Sequence, residues 1–118
     1  MPAHASLPVA ATRVDTIDTP CVIVDLDVVD RNIGRLQEYL SEHGIANRPH
    51  IKTHKLPLLA HAQVAAGASG ITVQSIGEAE VMAAAGLDDI LITYNVMGDE
   101  KVRRLAQVAQ LARVRVAL

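Results

Sequence analysis

The chain has 118 residues, of which 50% are hydrophobic and only 2% aromatic, so it is long enough to bury one ordinary core. Its formal net charge of −2 gives no field that would attract nucleic acid or an anionic membrane. The single cysteine, Cys21, excludes an internal disulfide, and no run approaches the roughly 18 consecutive apolar residues of a membrane-spanning helix. We therefore expect a cytoplasmic protein whose partners are small molecules, without binding to nucleic acid or membrane.

The N-terminal part of the chain is expected to contain a leader followed by a strand. Residues 1–18 are predicted to be a disordered leader, since their beginning lacks the basic stretch and apolar run of a signal peptide. The domain proper is expected over residues 19–118. It begins with a β-branched run at residues 21–25, directly after Pro20, which predicts a buried strand.

A helix and an extended segment are predicted next. Asp27 is a candidate N-cap, and apolar residues then recur every three or four positions along one helical face until Gly44 ends the helix. Pro49 opposes a further helix, so residues 45–53 are expected to be extended. The pattern therefore predicts a strand that ends at Lys52.

The rest of the chain repeats one unit, a helix followed by a short apolar strand. Ser75 and Glu78 have the spacing of a capping box at the start of one helix. The predicted helices occupy residues 56–66, 75–86 and 98–111, and the predicted strands occupy residues 70–74, 90–94 and 114–118. This alternation predicts an α/β fold with a parallel sheet. It fits an open sheet or part of a closed barrel, which typically takes about 250 residues.

Polar residues stand where the predicted strands end, and parallel α/β folds assemble their sites at that edge. Lys52 and Lys55 follow one strand, Gln74 ends the next, and Tyr94 and Asn95 follow a third. Low-dielectric surroundings lower the pKa of a lysine, so that more of its amine is neutral and nucleophilic. We therefore single out Lys52 as a candidate reactive amine, although a solvated loop lysine explains its position equally well.

Three stretches of the sequence, TPCVIVDLDVVDRNI, RPHIKTHK and TVQSIGEAEVMAAAG, resemble a known family. They are similar to D-threonine aldolases, D-serine dehydratases and 3-hydroxyaspartate aldolases, which are alanine racemase-like pyridoxal phosphate (PLP) enzymes of fold type III. The resemblance covers nearly all of residues 19–118. It implies the N-terminal part of a PLP-binding (β/α)8 TIM barrel, truncated after about four barrel strands. It also implies that residues 21–27 pair with a separate β domain.

The resemblance also implies which residues form the site. Lys52 is expected to carry PLP as a Schiff base, and Lys55 to be a bystander or a neighbour of the cofactor phosphate. The residues expected to bind the cofactor are Lys52, His50, His54, Gln74 and Tyr94.

Some of these assignments have alternatives. Gln74 can equally satisfy backbone groups of its loop, and Tyr94 can be a packed residue of the rim. His50 and His54 are four residues apart on an extended segment, as a metal pair would be, but no third ligand is evident nearby. The favoured interpretation is that one histidine packs near the cofactor and the other hydrogen-bonds within its loop, so no metal ligand is assigned in this chain.

The activity implied by the resemblance is a PLP-dependent lyase reaction on a D-β-hydroxy amino acid. Retro-aldol cleavage to glycine and an aldehyde, and dehydration of D-serine or 3-hydroxyaspartate, both fit. A divalent metal (Mn, Mg or Zn) is expected in full-length members through residues absent here, and the 118-residue chain alone is expected to be inactive. The alternatives are a non-catalytic PLP-binding protein of related barrel fold, or an inert truncated product. The oligomeric state stays open, with a homodimer as one option.

Overall fold

The structure, a computed structural model, describes residues 13–118. Residues 1–12, which make up most of the predicted leader, lie outside the described part. The helices are α1 (Leu26–Glu42), α2 (Pro57–Ala65), α3 (Ile76–Ala84) and α4 (Asp99–Val108), and the strands are β1 (Ile71–Val73), β2 (Asp89–Ile92) and β3 (Arg113–Val116). Two short 3₁₀ turns occupy Val14–Thr16 and Ile51–Thr53. None of the described helices is long and apolar enough to cross a membrane.

The strands form one parallel sheet in the order β1-β2-β3. Ile71 pairs with Ile90, and Ile90 pairs with Val114, so neighbouring strands are in register at their buried positions. Helix α3 connects β1 to β2, and helix α4 connects β2 to β3. An isolated parallel bridge between His50 and Thr72 places the segment before Lys52 beside the free edge of β1. The predicted α/β fold with a parallel sheet is thus confirmed.

The core lies between the sheet and the helices that cover it. All of β1 is buried, as is typical of a strand in a parallel sheet. The predicted strands supply most of the largest side chains of the core. Its largest fully buried side chains are Ile51, Ile71, Val73, Met82, Ile90, Ile92 and Val108.

The strand predicted at residues 21–25 is not formed. This segment is irregular and exposed, and 91% of the surface of Val22 is accessible. A β-branched run becomes a strand only where it can pair and pack against neighbours, and in residues 13–118 none pairs with it. The N-cap of α1 is Asp25, whose side chain accepts the N–H of Val28 at 3.1 Å, so the assignment of Asp27 was wrong by two residues.

The extended segment predicted at residues 45–53 forms only in part. It pairs with β1 at His50 alone, and the chain then turns at Ile51–Thr53 instead of continuing as a strand. The last predicted strand, residues 114–118, is observed one residue earlier and shorter, as β3.

A buried carboxylate joins the N-terminal ends of the strands. Asp89, at the start of β2, is only 8% exposed. Its Oδ1 accepts an N–H of Arg48 at 2.8 Å and an N–H of Arg115, and its Oδ2 lies 3.3 Å from Nε of Arg113. Burial alone would raise the pKa of Asp89, but Arg48 and Arg115 outweigh it and hold this pKa below its ordinary value.

Arg48 reaches this carboxylate because position 70 has no side chain. A Cβ on Gly70 would lie 2.3 Å from Nη1 of Arg48 and 2.6 Å from the carbonyl oxygen of Asp89, both far inside contact distance. Gly70 also has φ +145°, a conformation that residues with side chains rarely adopt. The glycine before β1 is therefore required by the packing of Arg48.

We predict that Asp89→Asn lowers the free energy of unfolding by about 3 kcal/mol, because the arginines around it lose their buried counter-charge. Urea denaturation of the full gene product measures this change. The matched control is Asp88→Asn, since Asp88 is exposed and precedes Asp89 directly. An equal effect of both substitutions would contradict the prediction.

The same carboxylate gives the stability a pH dependence. Since the pKa of Asp89 is lowered by folding, its contribution is complete above the pKa of an unfolded aspartate, about 3.9, and is lost as the pH falls towards the folded value. The difference between wild type and Asp89→Asn is therefore expected to shrink in acid, which denaturation at a series of pH values checks.

Candidate functional site

Lys52 lies in a tight turn between the edge of the sheet and α2. Ile51, the first residue of this turn, is fully buried, and its carbonyl oxygen accepts the N–H of His54 at 3.1 Å and that of Lys55 at 2.8 Å. The N–H of Lys52 donates to Nδ1 of His50 at 3.3 Å. The backbone of Lys52 is therefore held on both sides, whereas its side chain is exposed.

The two lysines of the turn have different surroundings. Nζ of Lys55 lies 3.2 Å from Oε1 of Glu78, so this ammonium already has a carboxylate partner. Lys55 also has φ +54°, a backbone conformation that is uncommon for a residue with a side chain and that differs from the 3₁₀ conformation of Lys52. Within residues 13–118 the amine of Lys52 forms no ion pair. Lys52 and Lys55 therefore differ in whether their amines have a carboxylate partner in the described part of the chain.

Glu78 connects the lysine turn to the end of β1. Its Oε2 accepts the N–H of Gln74 at 2.7 Å, while its Oε1 faces Lys55. Burial would raise the pKa of Glu78, but the Gln74 N–H and the Lys55 ammonium outweigh it and lower this pKa. Ser75 accepts the N–H of Glu78 at 3.2 Å, as the predicted capping box requires, but the carboxylate reaches Gln74 instead of closing the box on Ser75.

His54 turns both ring nitrogens into the protein. Its Nδ1 accepts the N–H of Leu56 at 3.0 Å, and its Nε2 is buried. Burial lowers the pKa of His54, and the nearby Gln63 side chain offsets this only in part. The ring of His54 is therefore neutral near neutral pH. Its place among the cofactor-binding residues stays a prediction.

A small cavity of about 130 Å³ lies beyond the C-terminal ends of β1 and β2. Its polar lining consists of Gln74, Ser75, Tyr94, Asn95, Lys101 and Arg104. Two of the predicted site residues, Gln74 and Tyr94, thus share one cavity. Lys52 is not among its lining residues, and it follows by two positions the residue that pairs with Thr72 of β1.

The sequence interpretation missed three charged residues of this region. Glu78 was expected only to cap a helix, but it also pairs with Lys55. Lys101 and Arg104 line the cavity, and their spacing of three on the helix after β2 was an available signal. Arg104 is committed to Glu80, whose two carboxylate oxygens it contacts at 2.7 and 2.5 Å. In the described part of the chain, no group of three or more His, Cys, Asp or Glu side chains could hold a metal ion.

The fold and the site define a parallel α/β domain with an exposed lysine turn at the edge of its sheet. Residues 24–115 match the family of the alanine racemase N-terminal domain, and the chain belongs to this family. The resemblance found in the sequence is thereby confirmed.

Two relatives that are named as lyases match most of this chain. The chain is 47% identical over 98 residues to D-threo-3-hydroxyaspartate dehydratase of Delftia sp. (strain HT23), covering 83% of this chain and 25% of that protein. It is 39% identical over 102 residues to D-threonine aldolase of Arthrobacter sp., covering 86% and 27% respectively. The chain thus spans about a quarter of the length of these relatives.

Solved structures agree with this assignment. The crystal structure of D-threonine aldolase from Filomicrobium marinum superposes with a TM-score of 0.83 at 42% identity, over 86% of this chain and 27% of that chain. A variant of D-threo-3-hydroxyaspartate dehydratase in its metal-free form superposes with a TM-score of 0.73 at 44% identity, over 80% and 25%. The parallel sheet and its lysine turn therefore belong to the N-terminal part of a lyase-containing family.

We predict that Glu78→Ala costs about 2 kcal/mol of unfolding free energy, because the N–H of Gln74 loses a charged acceptor whose side chain is only 11% exposed. Lys55→Ala is expected to cost less than about 1 kcal/mol, since the Lys55 side chain is 63% exposed and its ion pair is screened by solvent. Denaturant unfolding of both variants checks this order, with Glu38→Ala on the exposed face of α1 as the control. A larger effect of Lys55→Ala would contradict it.

Proposed function

We propose that this chain is part of a PLP-dependent lyase that acts on D-β-hydroxy amino acids, with Lys52 as the residue that holds the cofactor. The observation that carries the proposal is the free, exposed amine of Lys52 on a turn whose backbone is fixed on both sides. The relatives support it, since a dehydratase and an aldolase that act on such amino acids match this same stretch of chain.

The residues around Lys52 fit an anionic aldehyde cofactor. The exposed amine of Lys52 has no carboxylate partner among residues 13–118 and is available for covalent attachment, whereas the amine of Lys55 is paired with Glu78. When bound, PLP supplies an electron sink for the negative charge that develops at the substrate Cα. His50, which touches the backbone of Lys52, is the further residue of the turn proposed to lie against the cofactor.

Gln74 and Tyr94 are proposed to contribute from the adjoining strand ends. Both line the cavity beyond β1 and β2, where the Gln74 amide and the Tyr94 hydroxyl can donate hydrogen bonds to cofactor or substrate. Lys101 lines the same cavity and adds positive charge, which suits a substrate carboxylate. These groups bind and orient, and Lys52 alone is assigned the covalent role.

The reaction is proposed to be either cleavage of the Cα–Cβ bond or loss of the β-hydroxyl group. Both outcomes are represented among the relatives, as D-threonine aldolase and D-threo-3-hydroxyaspartate dehydratase. A divalent metal, held by residues outside this chain, is part of the proposal, and the metal-free form known for one relative supports it. We further propose a cytoplasmic protein whose partner is a small D-amino acid, consistent with its net charge of −2.

We predict that borohydride reduction of the PLP-loaded full gene product, followed by peptide mapping, places the pyridoxyl label on Lys52. Lys52→Ala is expected to abolish the label and the visible absorbance of the bound cofactor, because no other free amine occupies the turn. Lys55→Ala is the matched control and is expected to keep both. A label on Lys55 would overturn the assignment.

Product analysis separates the activities. Aldehyde and glycine released from a D-β-hydroxy amino acid identify the aldolase reaction, whereas a keto acid and ammonia identify the dehydratase reaction. A labelled protein that forms neither product from D-threonine or D-3-hydroxyaspartate would support a non-catalytic PLP-binding protein instead.

A further inference from the structure

Lys101 is a positively charged residue of the small cavity beyond β1 and β2. It is the third residue of α4, and the helix dipole disfavours positive charge in the first turn of a helix. Its neighbours Arg103 and Arg104 each pair with a glutamate, whereas Lys101 forms no ion pair within residues 13–118. Neither helix stability nor an ion pair in the described chain therefore accounts for a lysine at this position.

The lining of the cavity has a positive charge that is not balanced. Of the described residues that line it, Lys101 and Arg104 are the charged ones. Arg104 is neutralised by Glu80, to which it donates two hydrogen bonds at 2.7 and 2.5 Å. The charge of Lys101 is left, and it suits a group with a single negative charge.

Gly77, the second residue of α3, borders the same cavity. Its φ is not positive, and a Cβ on it would lie 3.8 Å from Nη2 of Arg104 and 4.0 Å from Oγ of Ser75, which is ordinary contact distance. Neither backbone geometry nor lack of space thus requires a glycine, although glycine destabilises a helix relative to alanine. Because Arg104 and Ser75 both line the cavity, a side chain at position 77 would reduce its volume.

The volume of the cavity limits what it can hold. An enclosed apolar cavity of about 150 Å³ accommodates one benzene molecule. At about 130 Å³ this cavity takes a group of a few atoms, such as a carboxylate with its adjoining carbon. A pyridine ring that carries a phosphate group is too large to fit inside it, so the cavity suits part of a substrate better than the cofactor as a whole.

Uncharged hydrogen-bond donors also line the cavity. The hydroxyl of Tyr94 and the amides of Gln74 and Asn95 can each donate a hydrogen bond. Oγ of Ser75 accepts the N–H of Glu78 at 3.2 Å, so its own proton remains available for a further acceptor. A carboxylate has two oxygen atoms that accept such bonds, and bonds to a charged acceptor are the stronger kind.

We propose that this cavity is a subsite for a carboxylate group, with Lys101 as its counter-charge and Gly77 as the residue that leaves room for it. The expected source of the group is the D-amino acid substrate, since the cavity and the Lys52 turn both lie where the strands end. A free carboxylic acid is the other source with the same chemistry. The substrate as source rests on the proposed function, whereas binding of a carboxylate in the cavity does not.

The test titrates the full gene product, prepared without cofactor, with sodium acetate at constant ionic strength. Binding is followed by saturation transfer from the protein to the acetate methyl protons. Acetate is expected to bind with a dissociation constant of about 1–10 mM, because so small a ligand makes few contacts.

Lys101→Met is expected to weaken acetate binding about tenfold, because the carboxylate loses its charged donor. The matched control is Arg103→Met, which removes the same charge from an exposed position of α4 that does not line the cavity. This control is expected to leave the dissociation constant of acetate unchanged.

Gly77→Ala is expected to weaken acetate binding about threefold and to raise the melting temperature, because the methyl group takes up space in the cavity and alanine favours the helix. Its matched control is Gly34→Ala in α1, where a Cβ meets nothing within 4 Å. Gly34→Ala is expected to raise the melting temperature without changing acetate binding.

Three results would refute the subsite. They are the absence of acetate binding, full acetate affinity in Lys101→Met, and full acetate affinity in Gly77→Ala. A role of Lys101 or Gly77 in folding alone predicts a lower melting temperature of the variant at unchanged acetate affinity, which is the opposite of the expected pattern.

Steady-state kinetics of the full gene product with PLP distinguishes the two sources of the carboxylate. If the substrate supplies it, acetate competes with the D-amino acid, and Lys101→Met raises KM about tenfold with little change in kcat. Acetate that binds without competing identifies a free carboxylic acid as the ligand. Wild-type protein that takes up no PLP would refute the proposed function, while the acetate titration still decides the subsite.

Discussion

The anchoring of Ile51 is the constraint on which the site depends. Its side chain is fully buried, and its carbonyl oxygen accepts two backbone N–H groups, so the chain is fixed where it leaves the sheet. The next residue is Lys52, so its backbone is fixed as well, while its side chain remains exposed. A covalent cofactor site needs this combination, because a fixed backbone lowers the entropy lost when the amine is held in a reactive position.

The motif RPHIKTHK contains two lysines, and the local backbone separates their roles. Lys55 has a left-handed backbone conformation, and its ammonium is paired with the carboxylate of Glu78. Lys52, in the 3₁₀ turn, has no such neighbour in the part of the chain that the structure describes. Glu78 therefore contributes to selectivity as well as to folding, since it occupies the competing amine.

Much of the fold could be predicted from the sequence because its signals are local. Glycines at helix ends and the serine at position 75 set the limits of α2 and α3 to within one or two residues. The strand at residues 21–25 was wrong because strand formation depends on a partner, which a local pattern does not reveal. The same limit hid the cluster at Asp89, whose partner Arg48 is 41 residues away in the chain.

For the site, the sequence placed the candidate residues at the C-terminal ends of the strands, where the structure also has them, but it could not orient their side chains. The sequence predicted different roles for His50 and His54 but could not say which histidine has which role, and the 3₁₀ turn between them gives each a different partner. His50 accepts the N–H of Lys52, and His54 accepts the N–H of Leu56, the N-cap residue of α2. Which ring nitrogen accepts a backbone N–H decides whether a histidine remains available to a ligand, and that depends on backbone geometry that periodicity does not encode.

The residues that stabilise the fold and the candidate site residues lie at opposite ends of the sheet. The charged cluster of Asp89 and its arginines lies where the strands begin, and it ties β2 and β3 to the segment that carries Arg48. Lys52, Glu78 and the small cavity lie where the strands end. The two clusters share no side chain, so substitutions around Asp89 are expected to change the free energy of unfolding without changing the position of Lys52. Residues of the lysine turn can in the same way be substituted without loss of the Asp89 cluster.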